Sequence, residues 1–164
     1  MPGFCGAVGE FSRESRQLAA AVETLDRLGR CDRRVVDQPD LRLAVAPLAA
    51  APLQGPYLHE DEELVGGFAG DLIDQKRVPW DRITADLRRG SLDWLEDCDG
   101  HFAAALYHKP QRTFYLVGDH FAYRPLFRYR TDRGLLFGTN LPALLHLGAE
   151  AGLDEKWLHQ YMYF

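Results

Sequence analysis

The second half of the chain contains two pairs of short apolar segments, and a short polar connection joins the members of each pair. Residues 102–107 and 113–117 form the first pair, and residues 125–129 and 135–138 form the second. Residues 131–134, which connect the second pair, read Thr-Asp-Arg-Gly, a composition typical of turns. Apolar segments joined in this way predict β-hairpins, in which neighbouring strands run antiparallel. The sequence therefore predicts a fold built on antiparallel sheet.

Helical patterns flank these hairpins on both sides. Leu18, Val22, Leu25 and Leu28 repeat at helical spacing, which predicts one buried face of a helix over residues 15–29. Further helices are predicted over residues 80–89, 92–97, 140–147 and 154–162. Further strands are predicted over residues 3–8, 33–37, 41–47 and 64–69, and a loop with three prolines over residues 47–58. Helices grouped before and after antiparallel hairpins favour the α+β class.

Composition and charge exclude several classes of protein. The 164 residues, 46% of them apolar, are enough for one domain with a full core. A net charge of −5 with scattered basic residues disfavours nucleic acid as a partner. No apolar run is long enough to span a membrane, and residues 1–20 lack an export pattern, so we expect a cytoplasmic protein. The cysteines (Cys5, Cys31 and Cys98) form no Cys-x-x-Cys pair, which disfavours a zinc site.

Four segments of the chain resemble, in the same order, segments of asparagine synthetases. Residues 1–6 resemble the Met-Cys-Gly-Ile-x-Gly opening of that family, and residues 95–107 resemble its Leu-x-Gly-x-Phe-Ala-Phe-Ala-Leu-Tyr strand. Residues 116–127 resemble its Arg-Asp-x-Leu-Gly-x-x-Pro-Leu-Tyr signature, and residues 136–145 its Phe-Ala-Ser-Glu-x-Lys-Ala-Leu segment. The chain is therefore similar to the N-terminal, class II glutamine amidotransferase domain of the asparagine synthetase family.

This resemblance implies a fold and a division of labour. The fold is the four-layer αββα sandwich of Ntn hydrolases, with two antiparallel sheets face to face and helices outside. Residues 1–150 would form the amidotransferase-like domain, and residues 151–164 a helix leading toward an ATP-pyrophosphatase (synthetase) domain. In the family the first domain releases ammonia from glutamine, and the second uses ATP and Mg²⁺ to form an amide. We expect no cofactor and no metal in the present chain.

The nucleophile is the first part of the implied glutaminase site that departs from the family. Family members expose a cysteine as their first residue after Met1 is removed, and its own α-amino group acts as the base. Here Pro2 stands at that position and has no thiol. Alternatively, removal of four residues would expose Cys5, because residues 5–9 also fit the Cys-Gly-Ile-Ala-Gly pattern. Cys5 could equally be a small buried residue of the first strand.

The substrate-binding part of the implied site is also incomplete. The oxyanion-binding Asn-Gly-Glu of the family reads Ala69, Gly70 and Asp71 here, so that the asparagine donor is lost, and Gly70 and Asp71 are expected to end the strand. Arg42 matches the arginine that holds the substrate carboxylate, or is an ordinary strand arginine. The amine-binding Gly-Ser-Asp-Thr-Glu segment has no counterpart in residues 75–94. We therefore expect Arg42, Gly70 and Asp71 to be substrate-binding remnants without a catalytic residue.

These departures favour a catalytically inactive glutaminase-like domain. It resembles in its missing cysteine the domains of β-lactam synthetases and lasso-peptide cyclases, whose substrates already carry the reacting amine. It would then act as scaffold or interaction domain for a synthetase domain in cis or in trans, with a peptide substrate as a further partner. The alternatives are an active glutaminase with Cys5 as nucleophile and a free-standing binding module. The aromatic last helix suggests a surface for association, including a homodimer.

Overall fold

The computed structural model describes most of the chain, with nine strands and four α-helices in the described part. The described residues are 3–11, 15–25, 33–46, 57–73, 75–152 and 154–162, with the backbone alone for residues 15, 16, 157 and 161. The strands are β1 (Gly3–Gly9), β2 (Arg34–Asp37), β3 (Leu41–Ala46), β4 (Leu58–Glu60), β5 (Leu64–Leu72), β6 (Gly100–His108), β7 (Thr113–Gly118), β8 (Phe127–Thr131) and β9 (Gly134–Gly138). The α-helices are α1 (Ser15–Leu25), α2 (Trp80–Arg88), α3 (Leu141–His146) and α4 (Glu155–Met162), and Asp93–Asp97 forms a 3₁₀ helix.

The strands form two sheets in which all paired neighbours are antiparallel. Sheet A has the order β2-β3-β1-β9-β8, and sheet B has the order β4-β5-β6-β7. Both hairpins that the sequence predicts are present, as β6–β7 and β8–β9. The α+β class with two antiparallel sheets is therefore confirmed.

The two sheets pack face to face over an apolar interior. Sheet A contributes residues of β1, β2, β3 and β9, and sheet B contributes alternate residues of β5 and β6, with Phe114 and Leu116 of β7 partly buried against them. The buried members of this inter-sheet core are Phe4, Val36, Leu41, Leu43, Val45, Val65, Ala69, Ala103, Ala105, Tyr107 and Phe137. The ring of Phe137 lies 6.2 Å from that of Phe4 and 4.7 Å from that of Phe114, measured between ring centroids. Strand alternation then sends the intervening residues to the outer faces of the sheets.

Helices cover both outer faces. Helix α1 buries Leu18, Val22 and Leu25 against sheet A, where α3 adds Ala143. On sheet B, α2 and the 3₁₀ helix bury Trp80, Ile83, Leu87 and Trp94 against residues such as Phe68 and Phe102. The layers therefore run helix, sheet A, sheet B, helix, as the αββα sandwich requires. The helical face predicted from Leu18, Val22 and Leu25 is the face that is buried.

Several element bounds differ from the sequence-based expectation. Strand β5 continues through Gly70 and Asp71 to Leu72, because Gly70 adopts a φ of +122° without leaving the β5–β6 ladder. The short strand β4 was not predicted, and the helix predicted over residues 92–97 is the shorter 3₁₀ helix. The proline-rich residues 47–56, the end of the predicted first helix at 26–29 and Cys31 lie outside the described residues.

Helix α4 exposes apolar side chains at the end of the described chain. Leu158 and Met162 are 39% and 76% exposed. The side chains of residues 157 and 161, and residues 163–164, lie outside the description. Among the described helices, none combines the length and the apolar character needed to cross a membrane.

Candidate functional site

The sandwich has two ends that can be told apart by the contacts of Asp40, which precedes β3. The hydroxyl of Tyr107 donates to an Asp40 carboxylate oxygen at 3.4 Å. Because Tyr107 pairs with Val65, β5 begins at this end, which we name the Asp40 end. At the other end β1 begins, with Gly3 paired to Ala46, the last residue of β3. We name this the Gly3 end, and β5 runs toward it.

Gly70 and Asp71 lie at the Gly3 end of the sandwich. Gly67, midway along β5, faces the side chains of Leu43 and Val45, and Gly70 lies three residues further along. The residue opposite Asp71 on β6 is His101. Ala69 faces the inter-sheet core, and residues two apart on a strand share a face. The side chains of Asp71 and its partner His101 therefore lie on the face of sheet B that looks toward sheet A, beyond the end of the core. The structure thus brings two of the three predicted remnant residues to the same end of the sandwich.

Gly70 has a structural reason to be glycine. Its φ of +122° is one that residues with a β-carbon rarely adopt. A β-carbon at this position would also collide with the carbonyl oxygen of His101 on the neighbouring strand. The backbone path of β5 therefore requires glycine here, whether or not its N–H serves an oxyanion.

Four further polar side chains lie near Asp71, those of Tyr57, His101, Tyr123 and Arg124, and together with Asp71 we name them the Asp71 cluster. Burial raises the pKa of the Tyr57 hydroxyl, the charge of Asp71 raises it further, and the charge of Arg124 lowers it. Asp71 and Arg124 therefore act electrostatically on that hydroxyl. On β6, the ring of His101 lies 4.4 Å from that of Tyr123. The Asp71 cluster thus has one carboxylate, one guanidinium, two phenol hydroxyls and one imidazole, which suit hydrogen bonding to a polar ligand.

The loop that carries Tyr123 and Arg124 is shaped by Asp119. Its carboxylate accepts hydrogen bonds from the backbone N–H groups of Phe121 and Tyr123 at 3.0 Å and of Arg124 at 3.1 Å. Burial alone would raise the pKa of Asp119, but these three bonds and the nearby His101 outweigh it and hold the pKa below its ordinary value. In the segment at residues 116–127, Asp119 therefore fixes the conformation of the loop beside the Asp71 cluster.

Cys5 lies on the helix-facing side of sheet A, away from the Asp71 cluster. It sits inside β1 between Ala44 of β3 and Gly138 of β9. Its side chain is fully buried beneath α1, whereas the neighbouring Phe4 points into the inter-sheet core. Burial raises the pKa of the thiol to about 12, so that the thiolate is scarce at neutral pH. In this position Cys5 is a small core residue.

A chain in which Cys5 is the only thiol should resist alkylation while folded. We expect the Cys31→Ser, Cys98→Ser variant to gain no mass with iodoacetamide in native buffer, because the thiol is protonated and buried. Intact mass recorded over time gives the rate, and the same variant in denaturing urea is the control that must be labelled fully. Stoichiometric labelling in native buffer at the rate of a free thiol would contradict this placement.

Arg42 is not brought together with Gly70 and Asp71. It pairs with Ala7, four residues along β1 from the strand's first residue, toward the Asp40 end. Leu41 and Leu43 face the inter-sheet core, so Arg42 faces the helix side of sheet A. Its Nε lies 3.2 Å from a carboxylate oxygen of Asp37 on β2. The structure thus shows Arg42 in a cross-strand ion pair, away from the Asp71 cluster.

The nucleophile position itself, Pro2, lies outside the described residues. Within the ranges that are described, no group of three or more histidine, cysteine, aspartate and glutamate side chains could hold a metal ion. The residues of the Asp71 cluster therefore offer hydrogen bonds and charge, and the described part of the site contains no group placed as a nucleophile.

Two comparisons with known proteins bear on this site. A family described as "Glutamine amidotransferase domain" matches residues 83–164, which is half of the chain. Over 66 residues the chain is also 38% identical to the protein named "Putative asparagine synthetase (glutamine-hydrolyzing) 1" of Methanocaldococcus jannaschii. That match covers 37% of this chain and 12% of the relative, so the chain spans only a small part of the curated relative it matches.

Proposed function

Because this chain belongs to the glutamine amidotransferase domain family, which is related to asparagine synthetase, we propose that it is a glutaminase-like domain without ammonia-releasing activity. It serves an asparagine-synthetase-like, ATP-dependent ligase as a scaffold and interaction domain. The ligase active site, with its ATP and Mg²⁺, belongs to a synthetase domain in cis or in trans.

The observation that carries this proposal is the position of Cys5. Thioester chemistry of this type needs a thiol and a free α-amine on one residue beside the oxyanion donors. The Cys5 thiol is buried beneath α1, on the other face of sheet A from Gly70 and Asp71. Its own nitrogen is a backbone amide inside β1. Neither requirement is met while β1 is intact.

The residues that persist from the family pattern support the same proposal, because the fold alone accounts for them. Gly70 is required by its positive φ and by the carbonyl of His101. Arg42 pairs with Asp37. Ala69 packs in the inter-sheet core and has no side-chain donor where the family pattern has asparagine. Loss of one oxyanion donor raises the barrier of such reactions by about 2.7–4 kcal/mol.

A domain of this kind fits a ligase whose substrate supplies its own amine. A peptide or β-lactam-type substrate that closes on itself needs no ammonia, so the glutaminase chemistry can be lost while the domain is kept for its surface. Phe121 and Tyr123, which are 76% and 65% exposed on the loop held by Asp119, offer such a surface. A peptide substrate or the synthetase domain is the partner that this surface would contact.

The test is the intact mass of the purified chain before and after incubation with a diazo-ketone analogue of glutamine, which alkylates glutaminase nucleophiles. We expect a mass that starts at Met1 or Pro2 and no adduct. An active glutaminase of the same family, treated in parallel, shows that the reagent works. A mass that starts at Cys5 with one adduct, absent from the Cys5→Ser variant, would overturn the proposal and establish the alternative of an active glutaminase.

A further inference from the structure

A groove lies along the β8 edge of sheet A, at the Asp40 end. It has a volume of about 1030 Å³ and is formed by the β8–β9 hairpin and the end of β1. Val8 and Leu135, which pair across β1 and β9, supply an apolar wall. The N–H of Glu10 donates to the carbonyl of Arg133 at 2.8 Å, which fixes the hairpin turn against β1. We name this feature the β8 groove.

The charges in the β8 groove favour an acidic partner. Arg128, Arg130 and Arg133 line it, together with the carboxylates of Glu10 and Asp132. No carboxylate in the described part of the chain forms an ion pair with any of the three arginines. The chain as a whole carries a charge of −5, so a groove in which guanidinium groups outnumber carboxylates is locally distinct. Guanidinium groups bind carboxylates with two parallel hydrogen bonds.

The edge strand itself adds backbone donors and acceptors. Among the described strands β8 pairs only with β9, so no described strand pairs with its other side. The pair Thr131–Gly134 closes the two-residue turn, and the antiparallel alternation then directs the backbone groups of Arg128 and Arg130 outward. The side chains of the same two residues are exposed and lie on one face of the sheet. Their partners across the β8–β9 ladder are Phe137 and Leu135. Pairing with β8 of a second copy would bring like charges together, which disfavours self-association.

We propose that an extended peptide with carboxylates at every second residue adds to β8 as a further strand. Its backbone pairs with the outward groups of Arg128 and Arg130, and its alternate carboxylates meet the two guanidinium groups, because strand residues two apart share a face. Val8 and Leu135 receive apolar parts of the same segment. This inference stands apart from the glutaminase question, because the β8 groove lies at the end of β1 away from Gly70.

The test is fluorescence anisotropy with a labelled nine-residue peptide that has glutamate at every second position and threonine or valine between. The probe for comparison is an isomer of the same composition with its glutamates contiguous. We expect the alternating peptide to bind at least about tenfold more tightly, and Arg128→Gln and Arg130→Gln to weaken it by about tenfold each. The control is Arg77→Gln, which removes an exposed arginine of the 75–79 segment, outside the groove, and should leave binding unchanged.

Four results would overturn the proposal. Equal affinity for the two isomers would mean that charge alone attracts them. Unchanged binding after N-methylation of the alternating peptide's backbone would exclude strand addition, because methylation removes its donors. Equal or tighter binding of single-stranded polyuridylate would assign the groove to nucleic acid. The fourth result comes from sedimentation velocity of the protein alone. A dimer that the Arg128→Gln, Arg130→Gln double variant abolishes would assign the β8 edge to a second copy.

Discussion

Replacement of Phe4 by alanine is expected to lower the free energy of unfolding by about 3–5 kcal/mol. Phe4 is fully buried between the sheets, and its ring lies 6.2 Å from that of Phe137. Neighbouring strands hold the surrounding core in place, so the space left by the ring cannot close fully. Urea unfolding followed by circular dichroism gives the midpoint and slope from which the difference is calculated.

The matched control for this substitution is Phe121→Ala. Phe121 is 76% exposed, so the same loss of a ring should change the free energy of unfolding by no more than about 0.5 kcal/mol. Equal effects of the two substitutions would mean that β1 is not packed in the core as described.

The Phe4 result bears directly on the proposed function. Maturation to Cys5 would remove Phe4 together with its backbone contacts. The carbonyl of Phe4 accepts from the N–H of Thr139 at 2.9 Å, and its N–H donates to the Thr139 hydroxyl at 3.1 Å. A chain that begins at Cys5 would therefore lose a central part of its core, which makes that processing step costly for this fold.

The parts of the fold that the sequence predicts are those set by local periodicity. The hairpins β6–β7 and β8–β9 were predicted because alternating apolar segments flank recognisable turns. Helix α1 was predicted because Leu18, Val22 and Leu25 fall on one face. The packing of the sheets came from the resemblance, since periodicity does not specify which sheets meet.

The parts that could not be predicted depend on which face of a strand looks inward. β1 and β3 are buried on both sides, so alternation places Phe4 opposite to Cys5 but does not say which of them meets sheet B. For the same reason, the sequence of β3 does not predict that Arg42 faces the helix side of sheet A. Because glycine often marks a turn, the sequence predicts a strand end at Gly70, whereas in the structure Gly70 lets the strand continue at positive φ.

Replacement of Asp119 by alanine is expected to lower the free energy of unfolding by about 2–3 kcal/mol at neutral pH. The carboxylate accepts hydrogen bonds from three backbone N–H groups of the loop beside the Asp71 cluster. Alanine leaves all three N–H groups without that acceptor. Asp119→Asn keeps the shape and one acceptor oxygen but removes the charge, so we expect a smaller loss. Urea unfolding of the three proteins under identical conditions measures both effects.

The pH dependence separates the charge of Asp119 from its shape. The pKa of Asp119 in the folded protein lies below its ordinary value of 3.8, so its contribution is fully present above that value and is lost as the pH falls through the lowered pKa. The difference in unfolding free energy between the unsubstituted protein and Asp119→Asn should therefore be constant from neutral pH down to about pH 5 and shrink below pH 4. A difference that stays constant down to the acid unfolding transition would contradict this prediction. It would mean that the ionised carboxylate does not hold the loop beside the Asp71 cluster.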